Sequence, residues 1–387
     1  MRGRSLLSLA VMIPVVTGAS VASDTASAGS MCRPDWIVYH TPNVGRLNNF
    51  LYSVSAVSGS NAWSVGYWDD VDGYPRALIE HWDGDSWKVL ERMPDSGSGA
   101  SLLLGVSAVS ADDVWAAGYR GGLPNTRTLI EHRGPNGWKV TASPNVGSGP
   151  NLLYAVSAAA ADDAWAVGAH SDGPSIHTLI EHWDGSAWTV VGSPNVDVGS
   201  NKLTAVTVSA PDDVWAVGGT TLPTGTRQTL TEHWDGEHWS IVESENAGDD
   251  ASALAGVSDS GSRIMAVGSS RDSDGHDRVL VEVRMGGRWA LMPGADPGRR
   301  RDVLNGLTQL ENGDVLAVGG YGDEGAPDRT LVERQGASGM VNEPAADLGT
   351  SGAAFLGVAA LSAGDAWAVG YRAGAGSART LVERRCG

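Results

Sequence analysis

Seven times this chain runs through a hydrophobic segment that ends in a version of Trp-Ala-Val-Gly. The anchor residues Trp63, Trp115, Trp165, Trp215, Met265, Leu316 and Trp367 lie 52, 50, 50, 50, 51 and 51 positions apart. A unit of that length cannot bury its own apolar face and has to stack on its neighbours. One copy shows what the unit contains: apolar runs at 152–158, 164–169, 177–183 and 188–193, with Asp162-Asp163 and Asp184-Gly185 as turns between them. Four short strands joined by tight turns make one antiparallel sheet.

Sheets of this kind repeated at this period predict an all-β, seven-bladed β-propeller with four antiparallel strands per blade, here called a to d. Strand a carries the small residues Ser53, Gly105, Ala155, Ala205, Gly256, Gly306 and Gly357. A wedge has least room at its tip, so strand a is innermost. The b-strand tryptophans, and Trp36, Trp87, Trp138, Trp188, Trp239 and Trp289 of the d series, are then expected to wedge between blades. After Trp367 the chain supplies a third strand, at 379–385, and then ends. The segment 35–39 around Trp36 aligns with the d strand around Trp87, so the ring is expected to close by an N-terminal strand that completes the last blade.

Residues 1–28 read as a secretory signal: Arg2 and Arg4, an apolar run at 6–16, then Ala26-Ser27-Ala28. The propeller domain is assigned to 29–387 and the product to the extracellular space, as a monomer. The formal charge of −18 becomes −19 without the signal, which excludes nucleic acid and anionic membrane surfaces as partners. Cys32 and Cys386, the two cysteines, fall opposite the same turn of neighbouring copies, at the expected seam. In an exported chain they predict a disulfide.

Alternation places the d-to-a and b-to-c loops on one face, where length and chemistry vary from copy to copy. Binding loops on a rigid scaffold behave this way. There Tyr67, Tyr119 and Tyr371 share one position in three blades that become contiguous on closure, with Trp68, Arg120 and Arg372 beside them. Rings and guanidinium donors suit a sugar or an extended peptide. Asp70, Asp72, Asp272 and Asp274 are dense oxygen ligands and stand as weak Ca²⁺ candidates; no other cofactor is expected. In strand c, Glu80, Glu131, Glu181, Glu232, Glu282, Glu333 and Glu383 mostly follow an Arg by four residues, which predicts Arg–Glu pairing between blades. His81, His132, His182 and His233 are read as packed strand residues, and the Asp-Asp pairs as turns.

The Gly-Gly endings at 218–219 and 319–320, an acidic-aromatic strand, and Trp87 followed by Met93-Pro94 together resemble the kelch repeat of galactose-oxidase-type propellers. The resemblance covers 29–387 and specifies fold far better than function. The expected function is a non-catalytic module that binds an extracellular carbohydrate or protein through the variable-loop face. The alternatives are a polysaccharide hydrolase or lyase, and a multivalent propeller lectin using one Arg, Glu and aromatic per repeat.

Overall fold

A computed structural model describes residues 35–386, apart from 91–98, 197–198, 248–250, 260, 262, 311, 347, 350–351 and 375. The expected signal segment and Cys32 lie outside the described residues. Among those described, 28 strands account for all the regular structure, and no helix is long and apolar enough to cross a membrane.

The strands form repeated four-stranded antiparallel units. The first runs β2 (Asn49–Ser58), β3 (Asn61–Asp69), β4 (Pro75–Trp82), β5 (Trp87–Val89), and the second β6 (Ser101–Ser110), β7 (Asp113–Arg120), β8 (Arg127–Gly134), β9 (Gly137–Thr141). The third is β10 (Asn151–Ala160), β11 (Asp163–Asp172), β12 (Ser175–Trp183), β13 (Trp188–Val191). Next come β14 (Ser200–Ala210), β15 (Asp213–Thr221), β16 (Arg227–Trp234), β17 (Trp239–Ile241), then β18 (Ala251–Asp259), β19 (Ile264–Arg271), β20 (Asp277–Met285), β21 (Arg288–Leu291). The sixth is β22 (Arg301–Gln309), β23 (Val315–Gly322), β24 (Arg329–Gln335), β25 (Met340–Asn342). The chain ends with β26 (Ala353–Ala360), β27 (Ala366–Ala373) and β28 (Ala378–Arg385), whose fourth strand is β1 (Ile37–Tyr39). Its register is Ile37↔Arg384, Val38↔Glu383 and Tyr39↔Val382. The fourth to sixth units merge into one 12-stranded sheet through single parallel pairs, Arg227↔Ala251 and Asp277↔Arg301.

Tryptophan packing between units holds the assembly together. Trp115 stacks on His132 of its own unit at 3.9 Å and meets Trp183 and Trp188 of the next at 4.9 and 5.2 Å. Trp165 repeats this with His182, Trp234 and Trp239, and Trp367 with Arg384, Trp82 and Trp87. Trp367 therefore joins the last unit to the first. Trp115, Trp165, Trp215 and Trp367 are among the largest fully buried side chains. Where tryptophan is absent, Met265 and Met340 fill the corresponding gap.

At the inner strands space is the constraint. A Cβ on Gly105 would come within 2.8 Å of the Ala155 backbone, and one on Gly357 within 2.8 Å of the Tyr52 carbonyl oxygen. Hydroxyls tie one inner strand to the next: Val106 N donates to Ser53 Oγ, and Ala158 N to Ser107 Oγ.

Among the described residues, Glu80, Glu181, Glu232, Glu282, Glu333 and Glu383 of strand c do not pair with arginines, which corrects the expected Arg–Glu ladder. These glutamates instead receive the connector arriving from the preceding unit. Glu80 accepts from the Thr41 hydroxyl, Glu181 from the Ser143 hydroxyl at 2.7 Å and Glu383 from the Ala346 amide at 3.0 Å. The arginines hold the connector leaving their own unit: Arg76 donates to Gly99 O at 2.7 Å, Arg127 to Gly149 O at 2.8 Å and Arg379 to Arg46 O at 3.3 Å. Arg and Glu lie too far apart along one strand to meet, and the connectors between units supply nearer partners. A second device is the Asn of the recurring Pro-Asn-Val connector. Asn145 Oδ1 accepts from Thr128 N at 3.1 Å, and Asn43 Oδ1 does the same for Thr380 N, 337 positions away, at 3.0 Å.

Burial pushes the Glu80, Glu181, Glu232, Glu282, Glu333 and Glu383 carboxyls up to about 8. A folded-state value above the unfolded one means that the native state holds more protons between about 4.5 and 8. That stability is complete below pH 4.5 and is lost as pH rises through 8. The melting temperature is therefore expected to fall between about pH 5 and 8, and Glu282→Gln to flatten the fall, as read by thermal denaturation across that range.

Candidate functional site

The glycine of the Trp-x-x-Gly repeat has a specific cause. A Cβ on Gly66 would sit 1.9 Å from the Phe50 carbonyl oxygen, on Gly118 1.9 Å from Leu102 O, and on Gly370 2.0 Å from Ala354 O. That oxygen is pushed in because the inner strand bulges at this point: β2 pairs Leu51↔Gly66 and then Ser53↔Val65, leaving Tyr52 unpaired. The same register shift recurs in β6, β10, β14, β18, β22 and β26. A bulge re-aims the extra side chain. The skipped residues Tyr52, Leu104, Tyr154, Thr204, Asn305 and Leu356, with Ala255, line an axial cavity of about 450 Å³ bordered by all of these inner strands. The sequence reading passed over this position, although its signal is simple: it immediately precedes the small residue of strand a.

The cavity walls are uneven. Phe50 lies 5.1 Å from both Tyr67 and Tyr371, and Tyr52 stacks on Tyr67 at 6.0 Å. Tyr119 and Leu102 complete this cluster, so Tyr67, Tyr119 and Tyr371 do converge across three units. Desolvation raises the Tyr52, Tyr67, Tyr119, Tyr154 and Tyr371 hydroxyls above their ordinary value and keeps them neutral donors. On the far side, Thr204 Oγ1 donates to Leu254 O at 2.8 Å and Asn305 Nδ2 to Phe355 O at 2.7 Å. The Asn305 Oδ1 is left as an acceptor.

The other three candidates do not join the tyrosines. Alternation turns the next residue to the opposite face: Trp68 packs against the cluster around Leu51 and Trp82, and Arg120 and Arg372 are exposed. Tyr67 is only 5% exposed, which makes it a wall of the cluster rather than an open platform.

The Ca²⁺ candidates serve their own turns. Asp70 Oδ1 accepts from the Asp72 and Tyr74 amides, and its Oδ2 pairs with Arg76 at 2.7 Å. Asp272 repeats this with Asp274, His276 and Arg278. These donors hold both carboxylates below their ordinary value. Asp72 and Asp274 contribute backbone amides to these turns, and no metal-holding cluster occurs among the described residues. The paired aspartates act as turns with one addition: Asp113, Asp163 and Asp213 each hold a stacked histidine, His132, His182 and His233, at 2.7 to 2.9 Å.

Against this geometry, known proteins divide sharply. No protein-family profile and no curated protein matches the sequence. Solved structures do. The chain is similar to YCF48 bound to D1 peptide over 93% of its own length and 98% of that chain, at TM-score 0.57 and 13% identity. The chain has a β-propeller fold. The propeller is also similar to the polysaccharide lyase Uly1, over 92% of both chains at TM-score 0.53 and 9% identity. Such identities establish architecture alone and do not confirm a kelch-type repeat.

Because Tyr67 is buried between Phe50 and Tyr52, Tyr67→Ala is expected to cost about 3 kcal/mol or more of stability. Tyr119→Ala, at a half-buried ring, should cost less; chemical denaturation of the two variants measures the difference.

Proposed function

We propose that this chain is a secreted, monomeric, closed seven-bladed propeller that binds an extracellular carbohydrate or protein at the mouth of its axial channel, without catalysis. One observation carries the reading. The repeated bulge aims one side chain from every inner strand into a single cavity, and that lining is Tyr, Leu, Thr, Ala and Asn, with the tyrosines gathered in one sector. A concave, mostly apolar pocket with a few polar groups is what ligand recognition requires. Hydrolysis by paired carboxylates needs acid groups that this lining does not contain.

Closure is supported by β1 in the last sheet and by the Trp367 and Asn43 contacts, each of which repeats between the end and the beginning of the chain what neighbouring units do internally. Export is supported by the charged, apolar and small-residue order of 1–28. The Cys32–Cys386 bridge belongs to the same proposal: Cys386 is buried just after β28, and no described cysteine is free. Its loop spans nearly the whole domain, so the chain-entropy ceiling is about 5 kcal/mol. Alkylation of the unreduced mature protein is expected to find no thiol, and Cys32→Ser to lower the melting temperature. Two alkylatable thiols would defeat the bridge.

The binding reading is tested with glycan and peptide arrays probed by the wild type and by a Tyr52→Ala, Tyr154→Ala double variant. The double variant is expected to lose affinity by ~0.5 to 1.5 kcal/mol per stacked ring while still folding. A ligand held equally well by both proteins would move the site away from the channel.

A further inference from the structure

A lysine lies two residues along the inner strand from the cavity lining, in the fourth unit, where the first unit carries its aromatic cluster. Lys202 pairs with Gly219 in β14 and β15, the register at which Phe50 pairs with Tyr67, two residues before the bulged Thr204. Around Phe50 the space is filled by Tyr52, Tyr67 and Tyr371. Around Lys202 the corresponding residues are Thr204, Gly219 and Ala169, and the small-residue side continues with Ala253, 3.4 Å from a Cβ built on Gly219, and Ala354, 3.1 Å from one on Gly320. Lys202 is half-buried and has no carboxylate within ion-pair distance among the described residues. Removing an ammonium from water without a counter-ion is costly. Desolvation, reinforced by Arg227, holds its pKa below that of a free lysine.

Resting on the binding function above, we propose that Lys202 anchors the carboxylate of an acidic sugar residue whose ring enters the axial channel against Tyr52 and Tyr154. Three properties of the cavity fit that class of ligand. The ammonium supplies the charge complement. The unused Asn305 Oδ1 and the lone pairs of Thr204 accept from sugar hydroxyls, while the Thr204 hydroxyl proton and one Asn305 N–H are committed to backbone carbonyls. The tyrosine side supplies aromatic surface for the ring, and about 450 Å³ lies in the range of small-ligand pockets. An acidic peptide would use the ammonium but brings few hydroxyl donors for these acceptors.

The test is an array of uronate- and sialate-bearing glycans, each printed beside its methyl ester, probed with the full mature chain and with its Lys202→Gln, Lys202→Arg and Tyr52→Ala, Tyr154→Ala variants. The proposal expects retention on the free acids, at least tenfold weaker binding to the esters, a similar loss in Lys202→Gln and recovery in Lys202→Arg. The melting temperature of Lys202→Gln should equal or exceed that of the parent, since an uncompensated ammonium is removed. Equal binding to acids and esters, or by Lys202→Gln and the parent, overturns the carboxylate anchor while leaving the binding function intact. Capture of an acidic peptide, with no acidic glycan retained and with dependence on Tyr52 and Tyr154, overturns the sugar assignment alone. Absence of any tyrosine-dependent ligand on glycan and peptide arrays overturns both.

Discussion

The interlocking of tryptophans between units is the interaction on which the rest depends. A four-stranded sheet of this size has two apolar faces and no core of its own, so it is stable only against a neighbour. Each b-strand indole meets a histidine of its own unit, or Arg384 in the case of Trp367, on one side and indoles or a guanidinium of the next unit on the other. The Trp367 contact with Trp82 and Trp87 extends the same packing from the end of the chain to its beginning. The strand-c glutamates, connector asparagines and inner-strand hydroxyls then fix the geometry between units, each where a buried polar group would otherwise lack a partner.

The proposed binding chemistry follows from a backbone irregularity. Because every inner strand carries one extra residue, every facing b strand needs a glycine at the point where the bulged carbonyl intrudes. The same bulge rotates one side chain per unit out of the stack and into the axial cavity. Fold and site are thus two consequences of one insertion: the glycine is structural, and the residue it accommodates is free to vary. Tyr52, Leu104, Tyr154, Thr204, Ala255, Asn305 and Leu356 vary as a set under no packing constraint would, whereas Gly66 and its equivalents do not vary at all.

Asymmetry on a nearly symmetric frame gives the channel its character. Large rings sit on the last unit and the first three, and small side chains with a single ammonium lie on the fourth to sixth. In the proposed function, ring stacking on one side and a half-buried charge on the other would discriminate among ligands better than either alone, because a poor ligand leaves the ammonium unpaired.

The repeat period, the turn residues and the two-residue alternation were enough to read four-stranded units, innermost strands, wedged indoles and an N-terminal strand beside the last one, since all of these follow from local periodicity and from the room available at each radius. The convergence of Tyr67, Tyr119 and Tyr371 was legible for the same reason. The separation of Trp68, Arg120 and Arg372 from them was also encoded in strand alternation, though their adjacency in sequence concealed it. What only the tertiary structure decided are the partners: that Glu80 meets Thr41 rather than an arginine, that Asp70 is consumed by Arg76, and that Tyr52 and Thr204 face one cavity. Those pairings depend on how connectors from one unit cross the next and on a one-residue bulge, and neither leaves a periodic trace in the chain.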